Sequence, residues 1–302
     1  MRVVEIIRRP DEGERADLVD FVEQVGAATG ARPISDHLWL DLTTGDAEGM
    51  IVVSVADPDG LLGIAQVSSA NASSSLEVVL RPGVPDARAV HDDLVETAVR
   101  AFGFDGGGRL WWWADDADHH DRALAERLGL VPARRLHEMR LGLPIAEHAT
   151  VATRAFRPDD AAAWLLVNNR AFADHGEQGG WTHDTLTARM SEPWFDPDGF
   201  RLHERDGRLA AFCWTKLHPD PPLGEIYVIA VDPDFHGTGL GRQLTLAGLD
   251  WIAGRGITTA MLHVDADNVA AVSLYERLGF TVHSTRLAFS ADLPALDEAR
   301  PA

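Results

Sequence analysis

The feature that most restricts how this chain can fold is an internal duplication. The segment Ala123–Leu130 (Ala-Leu-Ala-Glu-Arg-Leu-Gly-Leu) matches Ser273–Phe280 (Ser-Leu-Tyr-Glu-Arg-Leu-Gly-Phe), which begins 150 positions later. Upstream, Leu76–Pro82 matches Tyr227–Pro233 at an offset of 151. Similar segments at one spacing in two places indicate that the chain builds the same supersecondary unit twice.

Each half has the same order of predicted elements. A helical stretch and then a strand-like segment lie between the matched segments, the strands being Leu110–Trp113 and Thr258–Val264. Strands that alternate with amphipathic helices predict an α/β (α+β) fold. We therefore predict two tandem domains, at 1–145 and 150–302, each with a mixed central sheet flanked by helices. The seam is expected near 142–150, Gly-Leu-Pro-Ile-Ala-Glu-His-Ala-Thr.

The second half can be divided further by its apolar periodicity and its turn residues. Strands are predicted at 151–156, 200–205, 209–216, 224–231, 258–264 and 281–289, and helices at 159–172, 182–191, 239–254 and 268–278.

Composition excludes several classes of partner. The formal net charge of −20 makes nucleic acid and anionic membrane surfaces unsuitable partners. The single cysteine, Cys213, allows no intramolecular disulfide and no cysteine-based metal cluster. Because it lies within an apolar strand, we expect a buried packing residue there, and we expect no bound metal. The N-terminus lacks the apolar core of a signal peptide, and no apolar run approaches membrane-spanning length. We expect a cytoplasmic protein.

A glycine-rich loop in the second half predicts a binding site for a phosphate-bearing ligand. The apolar run from Ile226 to Val231 stops at Asp232-Pro233, glycines follow at 237, 239 and 241, and an amphipathic helix then begins. A strand, a glycine-rich loop and a helix together offer backbone N–H groups and a positive helix end to an anion. The corresponding stretch of the first half, 85–90, contains no glycine. We therefore interpret the first half as a scaffold, or as half of a substrate cleft.

These elements and motifs resemble the GNAT superfamily of acetyl-CoA-dependent N-acetyltransferases. The superfamily's signature, Gln/Arg-x-x-Gly-x-Gly/Ala, corresponds here to His236-x-x-Gly239-x-Gly241, and its second signature to Asp267-Asn268 before the Leu-Tyr-Glu-Arg-Leu-Gly-Phe helix. His236 replaces the usual Gln or Arg. The resemblance implies two tandem GNAT-like domains, of which the second binds acetyl-CoA. The cofactor-binding residues that it implies are Ile229, Ala230, Val231, His236, Gly237, Thr238, Gly239, Leu240, Gly241, Arg242, Asn268, Val269, Ala270, Ala271, Val272 and Ser273.

The tandem arrangement also resembles, more narrowly, the mycothiol synthase family of actinobacteria. The stretches that carry this likeness are Pro33–His37, Glu177–Trp181, Trp214–Lys216, Gly224–Tyr227 and Asn268–Val272. The resemblance implies acetylation of the cysteinyl amine of a cysteine–glucosamine–inositol pseudodisaccharide by the C-terminal domain. The substrate-binding residues that it implies are Asp36, Glu177, Lys216, Glu225 and His263. Two of them depart from the family, since Asp36 stands where a glutamate is usual and His263 where a tyrosine is usual.

The resemblance also implies two catalytic residues. Glu225, at the start of the strand that feeds the loop, is expected to act as the base that removes a proton from the amine, through a water molecule; a solvated strand-end glutamate is the alternative. Tyr275 is one of two tyrosines and is expected to protonate the departing thiolate; a core aromatic is the alternative. Lys216, the only lysine, could equally be a solvated strand-end residue.

Two other functions remain open at this point. The chain could acetylate another small amine, such as an antibiotic or an amino acid, or it could be a ligand-binding protein without catalytic activity. Glu225 and Tyr275 favour an enzyme, because a sensor needs neither residue. We expect the partners to be acetyl-CoA and a small-molecule amine, and the protein to be a monomer.

Overall fold

The structure is a computed structural model that describes residues 2–30, 32–44, 49–70, 73–173 and 178–296. The chain divides into two compact units. The N-terminal unit comprises Met1–Arg135 and Arg286–Ala302, and the C-terminal unit comprises Leu136–Thr285. Within the described ranges, no helix is long and apolar enough to cross a membrane.

The N-terminal unit contains six strands and four helices among its described residues. In chain order they are β1 (Val3–Arg8), α1 (Glu12–Thr29), α2 (Asp36–Thr44), β2 (Ile51–Asp57), β3 (Gly60–Ala70), β4 (Ser73–Leu80), α3 (Ala87–Phe104), β5 (Gly108–Asp115), α4 (His119–Arg127) and, from Arg286 onward, β12 (Thr281–Leu293). The strand order is β1-β2-β3-β4-β5-β12. Only the β4–β5 pair is parallel.

The C-terminal unit repeats this plan. Its elements are β6 (Val131–Gly142, from Leu136 onward), β7 (Arg154–Ala155), α5 (Ala161–Ala171), α6 (His183–Met190), β8 (Phe200–Arg205), β9 (Arg208–Pro219), β10 (Pro222–Val231), α7 (Leu240–Gly254), β11 (Thr259–Asp265) and α8 (Val269–Leu278). The strand order is β7-β8-β9-β10-β11-β6, and again only one pair, β10–β11, is parallel.

The last strand of each half belongs to the other half's unit. β6 follows α4 in the first half of the sequence, but its residues Leu136–Gly142 pair with β11. β12 follows α8 in the second half, but Arg286–Leu293 pair with β5. The compact units and the predicted sequence halves therefore divide the chain differently at these two strands.

Apolar cores lie on both faces of each unit's sheet, because successive residues of a buried strand point to opposite sides. In the N-terminal unit, Val53 packs in the core with α3, while its neighbour Val52 packs in the core with α1 and α2. In the C-terminal unit, Ile226 packs in the core with α7, while Val228 packs in an aromatic core around Trp164; these two residues lie on opposite faces because the strand register shifts between them.

Most elements predicted for the second half are present. The predicted strand at 200–205 is β8, and the predicted helices at 182–191, 239–254 and 268–278 are α6, α7 and α8. Each begins one residue later than predicted, and α6 also ends one residue earlier. The strand predicted at 151–156 was wrong in length, because only Arg154–Ala155 pair with β8. The following Pro158–Asp160 form a 3₁₀ turn that begins the predicted helix at 159–172.

Candidate active site

The glycine-rich loop connects β10 to the N-terminus of α7. Gly237 and Gly239 have φ of 73° and 81°, a region that residues with a Cβ rarely adopt, so these two positions require glycine. Gly239 is the N-cap of α7 and supplies no side-chain cap to the first N–H groups of the helix. These N–H groups and the positive end of the helix dipole can therefore receive an anion.

Ion pairs fix the start of this loop. Asp232 is 1% exposed, accepts a hydrogen bond from the backbone of Asp234 and forms an ion pair with Arg170 at 3.0 Å. Arg170 and Arg208 also pair with Asp234. His236 donates from Nε2 to the Val231 carbonyl at 3.0 Å. The loop that follows is thus attached firmly to the end of β10.

β10 and β11 separate in the middle of the sheet. The parallel pairing covers only Gly224–Ile226 against Ala260–Leu262, although β10 continues to Val231. On the other side, the β9–β10 register shifts between Ile226 and Val228, so Tyr227 is the extra residue of a β-bulge. Past the bulge, the edge of β10 that faces β11 has no strand partner among the described residues. An extended ligand can hydrogen-bond to such an edge.

Glu225 lies just before the point of separation, within a cluster of polar side chains on one face of the sheet. Its carboxylate is buried, with 10% of the side chain exposed. His218 Nε2 is 2.8 Å from Oε2, and His263 Nδ1 is 3.4 Å from Oε1. Lys216 is the cross-strand partner of Glu225 on β9. The register of the β-sheet therefore brings residues up to 38 positions apart in sequence into contact with one carboxylate.

These neighbouring groups determine the charge of Glu225. Burial opposes ionisation and by itself raises the pKa, but the hydrogen bonds from His218 and His263, with the positive charge of Lys216, outweigh burial and hold the pKa of Glu225 well below its ordinary value. Glu225 is therefore a buried carboxylate that remains ionised at neutral pH.

Two aromatic rings surround the ammonium group of Lys216. Its Nζ lies 4.7 Å from the ring centroid of Trp194 and 5.3 Å from that of Tyr227, and the two rings meet edge to face at 5.0 Å. Lys216 is 7% exposed, so the alternative of a solvated strand-end lysine was wrong. Cation–π contacts of this kind stabilise a cation that has lost most of its water.

Tyr275 lies in the second turn of α8, in the core that packs against α7. Its ring meets Phe280 edge to face at 5.8 Å, and burial, together with the nearby Cys213, raises the pKa of its phenol. A phenol with a raised pKa stays protonated, as a proton donor must. In the described part of the chain, no hydrogen bond engages its hydroxyl.

The other predicted site residues are spread over several elements. Asn268 caps α8 by accepting from the Ala271 N–H at 3.1 Å. The guanidinium of Arg242 pairs with Glu147. Asp36 lies in the N-terminal unit at the start of α2 and pairs with Arg32 at 3.1 Å. Glu177 lies outside the described residues.

The equivalent region of the N-terminal unit differs in three ways. The β3–β4 register has no shift, so the bulge is absent there. The residue after the last β4–β5 pair is Glu77, which is 3% exposed and forms an ion pair with Arg286 at 3.2 Å. The N-cap of α3 is Asp86, whereas the N-cap of α7 is Gly239. The registers also align Glu225 with Ser75 rather than with the approximate sequence match at Ser74.

Sequence reasoning missed His218. The residue lies two positions after Lys216 on β9, and its contact with Glu225 depends on the β9–β10 register. The available signal was the spacing itself, because residues two apart on a strand share a face. Of the described residues, no group of three or more His, Cys, Asp or Glu side chains is arranged to hold a metal ion.

The fold and the site define a GNAT-type acetyltransferase. Residues 166–280 match the acetyltransferase (GNAT) family. Two solved structures share the fold along almost the whole chain. A GCN5-related N-acetyltransferase from Sphaerobacter thermophilus has a TM-score of 0.69 at 18% identity and 98% coverage of both chains. A tandem GNAT protein from the clavulanic acid biosynthesis pathway has a TM-score of 0.67 at 15% identity. The match covers 98% of this chain and 100% of that protein.

The sequence comparison identifies the family. The mycothiol acetyltransferase of Streptomyces avermitilis is 40% identical over 300 residues, which cover 96% of each chain. That of Thermobispora bispora is 42% identical, over 92% of this chain and 95% of its own. The chain belongs to the mycothiol acetyltransferase family.

Proposed function

We propose that this protein transfers the acetyl group of acetyl-CoA to the cysteinyl amine of the cysteine–glucosamine–inositol pseudodisaccharide, the last step of mycothiol biosynthesis. The observation that carries the proposal is the ionised Glu225 cluster, located where β10 and β11 separate beside an uncapped helix N-terminus. A family relationship over almost the whole chain supports the choice of acceptor.

The C-terminal unit offers binding groups for the pyrophosphate and for the pantetheine arm of acetyl-CoA. The loop from His236 to Arg242 presents N–H groups to the pyrophosphate, and the edge of β10 from Ile229 to Val231 presents backbone groups to the extended pantetheine arm. The first turn of α8, from Asn268 to Ser273, lines the other side. Acetyl-CoA supplies the activated acetyl group, and a β10 N–H stabilises the negative charge that develops on the thioester oxygen.

The side chains around β10 account for the proton transfers. A free α-amine has a pKa of about 7.7–8.0, so a modest base removes its proton near neutral pH. The Glu225 cluster provides that base, and the protonated phenol of Tyr275 supplies the proton for the departing thiolate.

Transfer is direct, within a complex of both substrates. Burial raises the pKa of the Cys213 thiol to about 12, and the residue is 0% exposed, so it cannot serve as an acyl-carrying nucleophile.

The acceptor is a polyol amine, and a carboxylate-rich site suits it. We propose Asp36, Glu177, Lys216, Glu225 and His263 as its ligands. We also propose that the protein works as a monomer in the cytoplasm, which sedimentation and cell fractionation can check.

The deciding experiment is a turnover assay with purified protein, acetyl-CoA and the cysteinyl pseudodisaccharide. We expect release of CoA, read as a new free thiol, and a product whose mass is greater by one acetyl group. The matched control is the pseudodisaccharide with its amine already acetylated, which should release no CoA. Turnover with another amine, and none with this one, would replace the acceptor while keeping acetyl transfer.

A further inference from the structure

The hydrogen-bond chemistry of Glu225 fixes the tautomer of His218. An ionised carboxylate can only accept hydrogen bonds. His218 Nε2 lies 2.8 Å from Glu225 Oε2, so Nε2 carries the proton and donates it to the carboxylate. In the neutral imidazole, Nδ1 then holds a lone pair and can accept a proton. The described residues supply no other hydrogen-bond partner to this ring.

Exposure separates the roles of the two residues. The side chain of Glu225 is 10% exposed and both of its oxygens contact an imidazole. The side chain of His218 is 31% exposed. A proton that arrives from a bound ligand therefore meets the imidazole more readily than the enclosed carboxylate. The arrangement is that of a base, His218, oriented by a buried carboxylate, Glu225.

We propose that His218 takes the proton from the acceptor ammonium and that Glu225 positions its imidazole and stabilises the imidazolium. This assignment rests on the proposed acetyl transfer and changes one role within it. Glu225 becomes a positioning residue, and His218 becomes the catalytic base.

The acid strengths of the groups agree with this geometry. A carboxylate whose pKa is held well below its ordinary value is a poor acceptor for a proton from an ammonium group. A neutral imidazole nitrogen that holds a lone pair is the better acceptor for that proton.

The neighbouring groups leave His218 as the better placed of the two histidines. His263 Nδ1 is 3.4 Å from Oε1, a long separation for a hydrogen bond, and His263 has further interactions of its own. On β6, Glu138 is the cross-strand partner of His263. The charged or titratable groups on this face are Lys216 on β9, Glu225 on β10, His263 and Asp265 on β11, and Glu138 with Arg140 on β6.

The protons balance. The ammonium loses one proton to His218 Nδ1, and the imidazolium later releases it to solvent. The neutral amine then forms the C–N bond and gives up its second proton as the C–S bond breaks. The thiolate gains one proton from Tyr275, which recovers one from the nitrogen. The net change is one proton released for each acetyl group transferred.

Chemical rescue distinguishes a base from a structural residue. We expect His218→Ala to lower kcat by about 10²- to 10⁴-fold with the acetyl-CoA KM unchanged, and added imidazole to restore turnover in proportion to its concentration. His203→Ala is the matched control, because His203 lies on the neighbouring β8 and bonds the Ala152 carbonyl. It should keep wild-type kcat and gain nothing from imidazole. A folded His218→Ala with wild-type kcat, or one that imidazole does not accelerate, overturns the proposal.

A measurement on the wild-type protein covers the case in which the variant fails to fold. Nitrogen-15 NMR of the labelled protein should show His218 with a protonated Nε2 and an unprotonated Nδ1, and the opposite tautomer overturns the proposal. This readout needs no turnover. If the wild type acetylates only another amine, the proposed acceptor fails while the rescue experiment, run with that amine, still decides the role of His218.

Discussion

At the scale of single residues, the charge of Glu225 depends on contacts rather than on its position at a strand end. Burial alone would favour the protonated acid, which is the state of many enclosed carboxyl groups. Here His218, His263 and Lys216 reverse that preference. The alternative of a solvated strand-end glutamate was therefore wrong, because the side chain is enclosed and hydrogen-bonded.

Glu225→Gln should nearly abolish turnover without affecting the cofactor. The amide cannot stabilise a positive charge beside it, so we expect kcat to fall by about 10²- to 10⁴-fold. The acetyl-CoA Kd should remain within about twofold, because the loop and the edge of β10 are untouched. Steady-state kinetics and calorimetry check both values. Unchanged turnover would remove Glu225 from the mechanism.

The same residue should affect acid stability. The folded-state pKa is depressed, so the stabilisation is complete above the ordinary glutamate value of 4.5 and is lost as the pH falls through the lower folded value. The difference in unfolding free energy between the wild type and Glu225→Gln should therefore shrink as the pH drops below 4.5. Urea denaturation of both proteins at pH 7 and at pH 3.5 measures it. A constant difference would contradict the depressed pKa.

Tyr275→Phe tests the proton donor. The ring contact with Phe280 is preserved in this variant, so Tm should stay close to that of the wild type. Loss of the donor should lower kcat by about 10²-fold. Wild-type kcat with an unchanged Tm would instead support the reading of Tyr275 as a core aromatic.

At the scale of elements, a glycine of the loop can be compared with a glycine that has no ligand. Gly237 and Gly207 have φ of 73° and 72°, and a Cβ at either would meet nothing within 4 Å. Alanine at either position therefore introduces the same backbone strain, about 1–2 kcal/mol, without a clash. If binding must restore the strained conformation in Gly237→Ala, the acetyl-CoA Kd should rise by about tenfold. Gly207→Ala, in the β8–β9 turn, should lower Tm similarly and leave that Kd unchanged. If both variants weakened acetyl-CoA binding equally, the loop would not be the acetyl-CoA site.

The sequence predicted these elements where local signals were strong. Glycines at 237, 239 and 241 after a strand indicated the loop, and Asn268 indicated the start of α8. The bulge at Tyr227 was not predicted, because it is defined by the β9–β10 register, which shifts between Ile226 and Val228. His218 could not be placed beside Glu225, because that contact depends on pairing between strands.

At the scale of the whole molecule, the duplication was visible in the sequence, but the assignment of the last strand of each half was not. β6 and β12 each follow their own half's helix, and nothing local records that β6 pairs with β11 and β12 with β5. Pairing between strands that lie far apart in the chain leaves no local signal, so the sequence alone assigns each strand to its own half.

The duplication also predicts how many acetyl-CoA molecules the chain binds. In the N-terminal unit, the N-cap of α3 is Asp86, whose carboxylate pairs with Arg2 at 3.3 Å, rather than a glycine, and the buried Glu77–Arg286 pair lies where β4 leaves β5. We therefore expect one equivalent of acetyl-CoA per chain by isothermal titration calorimetry.

Two variants assign that single equivalent to its unit. Gly237→Ala should weaken the one binding event, whereas Gly83→Ala, in the turn between β4 and α3 of the N-terminal unit, should leave it intact. Gly83 has a φ of 77°, and a Cβ there meets nothing within 4 Å. Both changes impose similar backbone strain, so a general loss of stability would affect both equally. Two equivalents in the wild type, or one strong equivalent that survives in Gly237→Ala and weakens in Gly83→Ala, would mean that the N-terminal unit holds the cofactor and that its lost glycines do not prevent binding.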